Sequence, residues 1–230
     1  MRVSFLVDGF NLYHSIRAAE RATDLRPLRW LDLHSLCATL VSSGFGPGAG
    51  LEGGYYFSAL AHHLQRPDVV RRHRAFLEAL EDTGVHVSLA RFKKKTTRAS
   101  LSRCRFFIPG KRWKLRLPFS KVMVAVKGFE EKETDVAIAM KMLELAQSGG
   151  TDCLVLMSGD TDLCPGVDGV RRMSPSVGLR VAFPYHRYNK DLDQRADGRF
   201  RISPRLMAAN QFADPYVLTS GRVIPKPPNW

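Results

Sequence analysis

Four aspartates are the residues of this chain whose type and surroundings could do chemistry. Asp8 lies in VSFLVDGFNLY, Asp135 in KETDVAIAM, and Asp160 and Asp162 in LVLMSGDTDL. Carboxylates that converge on one spot repel each other unless a cation neutralises them. Hard oxygen donors of this kind suit Mg²⁺ or Mn²⁺, and such an ion can activate water for attack on a phosphate ester. The four residues therefore predict a metal-dependent phosphodiester enzyme, provided that the fold brings them together.

Each aspartate also has an ordinary explanation when it is considered alone. Asp8 could form a turn with Gly9, and Asp160 or Asp162 could cap the helix that follows. Asp135 could be a first-turn acid that interacts favourably with the helix dipole. Their coincidence at predicted strand ends and one helix start favours a shared metal site. None of the seven histidines has the spacing of a metal ligand, and His14 is the only one close to Asp8 in the sequence.

The positive charge of the chain is concentrated in one stretch. The chain has 35 Lys and Arg against 22 Asp and Glu, a net charge of +13. Between Thr83 and Phe129 there are 13 basic residues and no acid, so the remainder is balanced at 22 against 22. Aromatic residues alternate with the cations there: Phe92, Phe106, Phe107, Trp113 and Phe119. This mixture is typical of surfaces that bind single-stranded nucleic acid, whose bases stack on aromatic rings.

The alternative for this stretch is a solvated basic hairpin that only keeps the protein in solution. We favour nucleic-acid contact because the stretch accompanies an acidic site that could cleave phosphodiesters. The residues predicted to make that contact are Arg91, Lys93, Lys94, Lys95, Arg98, Lys111, Arg112, Trp113 and Lys127.

The length and composition predict one globular domain of intracellular type. With 230 residues and 44% hydrophobic residues, the chain can bury a sizeable core. It contains no apolar run long enough for a membrane span, and its start is too short in apolar residues for a signal peptide. The four cysteines form no metal-binding pattern, which favours reduced thiols and a cytoplasmic location.

Apolar runs and helical periodicity alternate along the chain. The predicted strands are Val3–Val7, Gly54–Ala59, Val85–Arg91, Cys153–Met157 and Leu179–Phe183. The predicted helices are Asn11–Glu20, Leu31–Ser42, Asp68–Asp82, Asp135–Ala146, Leu163–Met173 and Asp191–Arg199. Thr134 is the expected cap of its helix, with Val136, Ala139, Met140 and Leu143 on the buried stripe. The basic stretch is expected to be an irregular loop or a hairpin.

This alternation predicts an α/β fold, a three-layer sandwich with a mostly parallel central sheet. In such a sheet the ligand crevice lies beyond the carboxyl ends of the strands, where Asp8, Asp160 and Asp162 are expected. Asp135 would lie in the first turn of its helix, whose N-terminal N–H groups favour a phosphate. We expect one domain over residues 1–202 with a basic insertion at 91–127. Residues 203–230 would form a C-terminal extension with a proline-rich end, extended or disordered.

Four segments in this order resemble a NYN domain, a member of the PIN-like group of nuclease folds. They are DGFNLYHS, EKETDVAIAMKMLELA, DCLVLMSGDTDLCPGVDGVR and NKDLDQRADGRF. The resemblance extends from Met1 to about Ile202. It implies a PIN-like sandwich and a ribonuclease that depends on Mg²⁺ or Mn²⁺, with RNA as its partner.

The resemblance also implies roles for individual residues. Asp8, Asp135, Asp160 and Asp162 would be the catalytic and metal-binding carboxylates, with Asn11 as a polar support and Ser158 as a nearby hydroxyl. The chain departs from the family at Lys141, where many members have an acid, and at Leu163, where many have Phe. The departure at Lys141 leaves open whether the site holds one metal ion or two.

Two other classes of protein are compatible with the sequence. A non-catalytic RNA-binding protein would keep the fold and the basic surface, but it would gain nothing from acids that repel phosphate. A metal-dependent phosphatase acting on a small nucleotide would not need a long basic and aromatic stretch. A scaffold role, a homo-oligomer and a preference for RNA or DNA are left open by the sequence.

Overall fold

The structure, a computed structural model, describes residues 1–25, 27–61, 65–100, 123–228 and 230. Its strands are β1 (Arg2–Asp8), β2 (Gly50–Ala59), β3 (His86–Ser100), β4 (Met123–Lys132), β5 (Cys153–Met157), β6 (Gly178–Phe183), β7 (Gly198–Arg201), β8 (Tyr216–Val217) and β9 (Val223–Ile224). Its helices are α1 (Gly9–Ala22), α2 (Leu33–Gly44), α3 (Pro67–Asp82), α4 (Thr134–Gln147), α5 (Cys164–Met173), α6 (Lys190–Arg195) and α7 (Pro204–Ala209), with a 3₁₀ turn at Thr161–Leu163.

The main sheet has the strand order β4-β3-β2-β1-β5-β6-β7. Neighbouring strands from β3 to β7 are parallel, and β4 alone is antiparallel, to β3. The first strand lies in the middle, so the chain builds one side of the sheet and then crosses to build the other. The carboxyl ends of β1 and β5 therefore form the switch point at which such sheets open a crevice.

Helices cover both faces of this sheet. Along β1, Val3, Phe5 and Val7 belong to one buried cluster and Leu6 to another, because successive strand side chains point to opposite faces. The first cluster includes apolar residues of α1, α2, α3 and α7, and the second includes those of α4, α5 and α6. The predicted three-layer α/β/α sandwich is confirmed. None of the described helices is long and apolar enough to cross a membrane.

The basic stretch begins as a continuation of the sheet. The third strand extends past the predicted end at Arg91, and its residues Arg91–Ser100 pair with Met123–Lys132 of β4. We call this ribbon the basic hairpin. Lys111, Arg112 and Trp113 lie outside the described residues, so their predicted contacts stay predictions. Cys104 lies outside the described residues too.

Helix α4 differs in detail from the prediction. Thr134 is its first helical residue and not its cap, because Glu133 occupies the cap position with a φ of 82° and makes no side-chain capping bond. The predicted buried stripe was wrong in phase, since Val136 is 67% and Met140 is 60% exposed. The helix packs instead through Ile138, Met142 and Leu145, among other residues.

The end of the chain is more ordered than expected. The predicted helix Asp191–Arg199 is the shorter α6, and Arg199 lies in β7, paired with Val181 of β6. Beyond residue 202, Met207, Phe212, Leu218 and Ile224 are buried in the first cluster. The proline-rich end packs there too, with the Trp230 ring 5.3 Å from that of Phe76.

Candidate active site

Asp8 is a buried carboxylate at the junction of β1 and α1. Its side chain is the N-cap of α1 and accepts a hydrogen bond from the backbone N–H of Asn11 at 2.9 Å. The turn is tight, because a Cβ at Gly9 would overlap the carbonyl oxygen of Phe57 and the ring of Tyr56. Asp8 is only 5% exposed, so its carboxylate is held in one place at the strand end.

Ser158 connects Asp8 to the segment that follows β5. Its hydroxyl donates to Asp8 Oδ2 at 2.8 Å and accepts from the backbone N–H of Asp160 at 3.1 Å. Asn11 completes the connection, since its Oδ1 accepts from the backbone N–H of Gly159 at 3.2 Å. Ser158 and Asn11 thus support the geometry of the strand ends.

Three of the four predicted carboxylates line one cavity of about 270 Å³. Asp8 comes from the end of β1, Asp160 from the turn after β5, and Asp135 from the first turn of α4. Asn11 also lines this cavity. The Oδ1 atom of Asp160 accepts from the backbone N–H of Asp162 at 3.1 Å, so this carboxylate also caps the 3₁₀ turn. The capping roles of Asp8 and Asp160 coexist with a position in the cavity wall.

Asp162 is not among the residues that line the cavity. It is exposed in the 3₁₀ turn, although its charge is near enough to raise the pKa of Asp135. Lys141 stands at a position where many NYN domains have an acid. It does not line the cavity either. It pairs with Glu144 at 2.9 Å and lies 4.9 Å from the Tyr55 ring centre.

The carboxylates perturb one another. Burial raises the pKa of Asp8, against the opposing effect of the hydrogen bonds from Asn11 and Ser158. Burial also raises the pKa of Asp135, and the negative charges of Asp160, Asp8 and Asp162 raise it further. Mutual repulsion of this kind is relieved by a bound cation, so the charge pattern favours cation binding.

The oxygen atoms that line the cavity suit a hard divalent cation with few protein ligands. Carboxylate and hydroxyl oxygens are the ligands that Mg²⁺ and Mn²⁺ prefer. In the described part of the chain, however, no three Asp, Glu, His or Cys side chains are close enough to hold an ion together. Mg²⁺ commonly binds through one or two carboxylates and keeps several waters for exchange with substrate phosphates. The residues therefore fit an open site and not a closed cage.

Several cavity residues escaped the sequence analysis. Phe10, Glu133 and Arg187 line the cavity, together with Thr134 and His14. Arg187 follows β6 and is held close, because a Cβ at Gly159 would overlap its carbonyl oxygen. The sequence signal for Arg187 was its position just beyond β6, the strand next to β5.

Among the described residues, His14 is the one histidine at the cavity, and it is also the one close to Asp8 in the sequence. Partial burial lowers the pKa of His14, and the positive charges of Arg187 and Arg17 lower it further. A neutral imidazole beside the carboxylates can donate one hydrogen bond and accept another.

The base of the basic hairpin reaches this cavity. The Lys93 ammonium lies 3.5 Å from the Glu133 carboxylate, and the Phe92 ring lies edge-on to that of Phe10 at 5.7 Å. Glu133 and Phe10 both line the cavity. The structure therefore brings the first part of the predicted nucleic-acid-binding stretch to the acidic centre.

The fold is a three-layer α/β domain with an acidic crevice where β1 and β5 end. The chain belongs to the NYN domain family, whose model matches residues 2–204, and NYN domains are part of the PIN-like superfamily. The resemblance inferred from the four segments is confirmed. Membership indicates a nuclease-type function without specifying its substrate.

A solved structure shares the architecture. The crystal structure of a protein of unknown function from Vibrio parahaemolyticus RIMD 2210633 is similar, with a TM-score of 0.53 and 18% sequence identity. The match covers 88% of this chain and 93% of that one. At this identity the similarity supports the fold alone. Among curated proteins, none matches this chain.

Proposed function

We propose that this protein is a metal-dependent ribonuclease that hydrolyses RNA phosphodiester bonds in the cavity at the ends of β1 and β5. The observation that carries the proposal is the convergence of Asp8, Asp135 and Asp160 on one cavity of about 270 Å³. Capping explains Asp8 and Asp160 one at a time, but it does not require three acids from separate segments to line one cavity, where their charges interact unfavourably.

The carboxylates would hold the cation and orient the reacting groups. Bound Mg²⁺ or Mn²⁺ supplies an acidified water and neutralises charge that develops on the phosphate. Asp8 presents a fixed carboxylate, because Ser158 and the Asn11 N–H restrain both of its oxygens. Asp135 faces the cavity from the opposite helix, and Asp162 would contribute from the rim.

Positively charged groups would bind the RNA backbone around this centre. Arg187 lines the cavity and can donate two parallel hydrogen bonds to a phosphate. Lys93 lies at the base of the basic hairpin, and it is one of the 13 basic residues between Thr83 and Phe129. A single strand is favoured as substrate because its bases are free to contact aromatic side chains.

The alternatives fit the described residues less well. A non-catalytic RNA-binding protein would lose affinity through acids that repel the phosphates. A phosphatase for a small nucleotide would leave the basic hairpin without a purpose.

A cleavage assay on matched labelled single-stranded RNA and DNA, with Mn²⁺, Mg²⁺ or EDTA, tests the function. We expect cleavage of RNA that requires the cation and is abolished by Asp160→Asn with the fold retained. Asp24→Asn is the control, since it removes one exposed carboxylate distant from the cavity lining. Full activity of Asp160→Asn, or cleavage that persists in EDTA, would contradict the proposal. Cleavage of DNA alone would reassign the substrate.

A further inference from the structure

A second cavity, of about 440 Å³, adjoins the acidic one. Phe10 and His14 line both cavities, so the two share part of the wall that α1 forms. We call the second one the aromatic pocket, because six aromatic rings of the described part of the chain contribute to it: Phe10, Tyr13, Tyr56, Phe76, Phe92 and Trp230. Its size lies within the range of small-molecule binding sites, and it is mainly apolar, as such sites are.

Polar groups interrupt this apolar lining. The Nε of Arg72 is buried and has no hydrogen-bond partner, although the same guanidinium pairs with Asp68 at 3.0 Å. Burial lowers the pKa of His73 to about 4, so its ring is neutral at pH 7. A neutral imidazole offers one donor and one acceptor, and Ser58 adds a hydroxyl to the same wall. A buried donor left unpaired is costly unless a ligand satisfies it.

The charge around the aromatic pocket is positive on balance, because its four described arginines have two acids as partners. Among the residues that the structure describes, four arginines and no acid line it: Arg17, Arg29, Arg66 and Arg72. Glu20 pairs with Arg29, and Asp68 pairs with Arg66 and Arg72. Arg17 donates to the Tyr13 hydroxyl at 3.1 Å and has no carboxylate partner among the described residues. The mouth is therefore suited to an anionic ligand with a flat apolar body.

We propose that the aromatic pocket receives one unstacked nucleobase of a single-stranded RNA whose phosphate lies at the aspartates. The inference rests on the proposed function and adds a base-binding subsite to it. A base presents flat faces to aromatic rings and a polar edge to Arg72, His73 and Ser58. Its attached phosphate would lie towards Arg17 and the acidic cavity, which the shared residues Phe10 and His14 connect.

A purely apolar occupant, such as a hydrophobic peptide segment, explains these features less well. It would leave Arg72 Nε unpaired and would offer no hydrogen bond to His73 or Ser58. It would also gain nothing from the arginines at the mouth. A nucleotide satisfies the rings, the polar groups and the positive charge together.

Binding in EDTA tests this subsite separately from cleavage. We would compare a labelled oligouridylate octamer with an abasic octamer of the same charge by fluorescence anisotropy. We expect the base-containing strand to bind about tenfold more tightly or better. Arg72→Leu and the pocket-filling Val69→Phe should remove most of this preference. Arg74→Leu, which loses the same charge from an exposed position of α3, should retain it.

Two results would overturn the subsite. One is equal binding of the base-containing and abasic strands by the wild-type protein. The other is an unchanged preference in both folded pocket variants, which would place base contact elsewhere. Either result leaves cleavage at the aspartates intact as a function. Conversely, base-selective binding without any cleavage would support the pocket while contradicting the nuclease.

Discussion

The Ser158 hydroxyl lies 2.8 Å from Asp8 Oδ2, although 150 residues separate them in sequence. The same hydroxyl accepts from the Asp160 backbone N–H, so one side chain joins two strand ends of the cavity. Ser158→Ala should leave a buried carboxylate oxygen without this donor and destabilise the protein by about 1–3 kcal/mol. Urea denaturation measures the change. Ser42→Ala, at an exposed serine bonded only within its own helix, should be close to neutral.

The raised pKa of Asp8 predicts a specific pH dependence without metal. A carboxyl group whose folded pKa is raised stabilises the protein below its unfolded value, and this stability is lost as pH rises through the folded value. At pH 7 the Asp8→Asn variant should therefore be more stable than the wild-type protein. Its amide can still cap α1, since Asn is a good N-cap.

To test this pH dependence, we would measure the free energy of unfolding of the wild-type protein and of Asp8→Asn from pH 3 to 8 in EDTA. The advantage of the variant should grow with pH over the raised pKa range. Adding Mn²⁺ should stabilise the wild-type protein more than the variant, because a ligand of the folded state raises its stability. A variant less stable than wild type at every pH would contradict the prediction.

Gly159→Ala should disturb the cavity through packing alone. The new Cβ would overlap the Arg187 carbonyl oxygen, so the loop after β6 must move. We expect a loss of about 1–3 kcal/mol in stability and reduced cleavage per folded molecule. Gly46→Ala is the matched control, because a Cβ there meets no atom within 4 Å and its φ is not positive. Thermal melts of both variants measure the change in stability, and single-turnover cleavage measures the activity per folded molecule.

The predicted nucleic-acid contacts of the basic stretch can be tested by salt dependence. Each phosphate neutralised contributes about 0.7 to the slope of log affinity against log salt for a single strand. Replacing Lys93, Lys94 and Lys95 with Ala should flatten that slope and weaken binding to all sequences alike. A control triple variant removes exposed cations elsewhere: Arg74, Arg172 and Arg205. Equal slopes for the two triple variants would assign the lysines to solubility.

Asp197 is predicted to act structurally. Its carboxylate pairs with Arg171 at 2.6 Å and accepts from the Leu179 N–H at 2.7 Å. Burial raises the pKa of Asp197, but these two partners outweigh it and lower the pKa overall. Asp197→Ala should cost about 1 kcal/mol above the unfolded pKa, and the cost should vanish as pH falls through the folded value. Cleavage per folded molecule should persist. A stable but inactive variant would place Asp197 in the active site.

The parallel strands and two of the carboxylates were readable from the sequence for the same reason. Buried parallel strands are continuous apolar runs, and the polar residues that come just after such a run lie at the crevice. Asp8 and Asp160 follow that rule. The phase of α4 could not be read, because most of its residues are apolar and several stripes fit the pattern equally well. The packing against the sheet selects Ile138 and Met142.

Cavity residues contributed by connecting segments were harder to predict. Glu133 precedes α4 with a left-handed backbone, and Arg187 lies in the loop after β6, where no periodicity marks a position. The strand β7 was missed because Gly198–Arg201 is too short to show alternation. Its pairing depends on the exposed edge of β6, which is a property of the assembled sheet.

The strand β3 has two parts, and only the second part belongs to the basic hairpin. The hairpin can therefore be replaced independently of the parallel strands. Residues His86–Ala90 pair with β2, whereas the ribbon begins only at Arg91. Its register places Lys93 opposite Glu130, so an Asn-Gly turn could replace the intervening residues without altering the parallel strands. Insertions or deletions between those two positions should thus change the length of the basic hairpin while the acidic crevice stays the same.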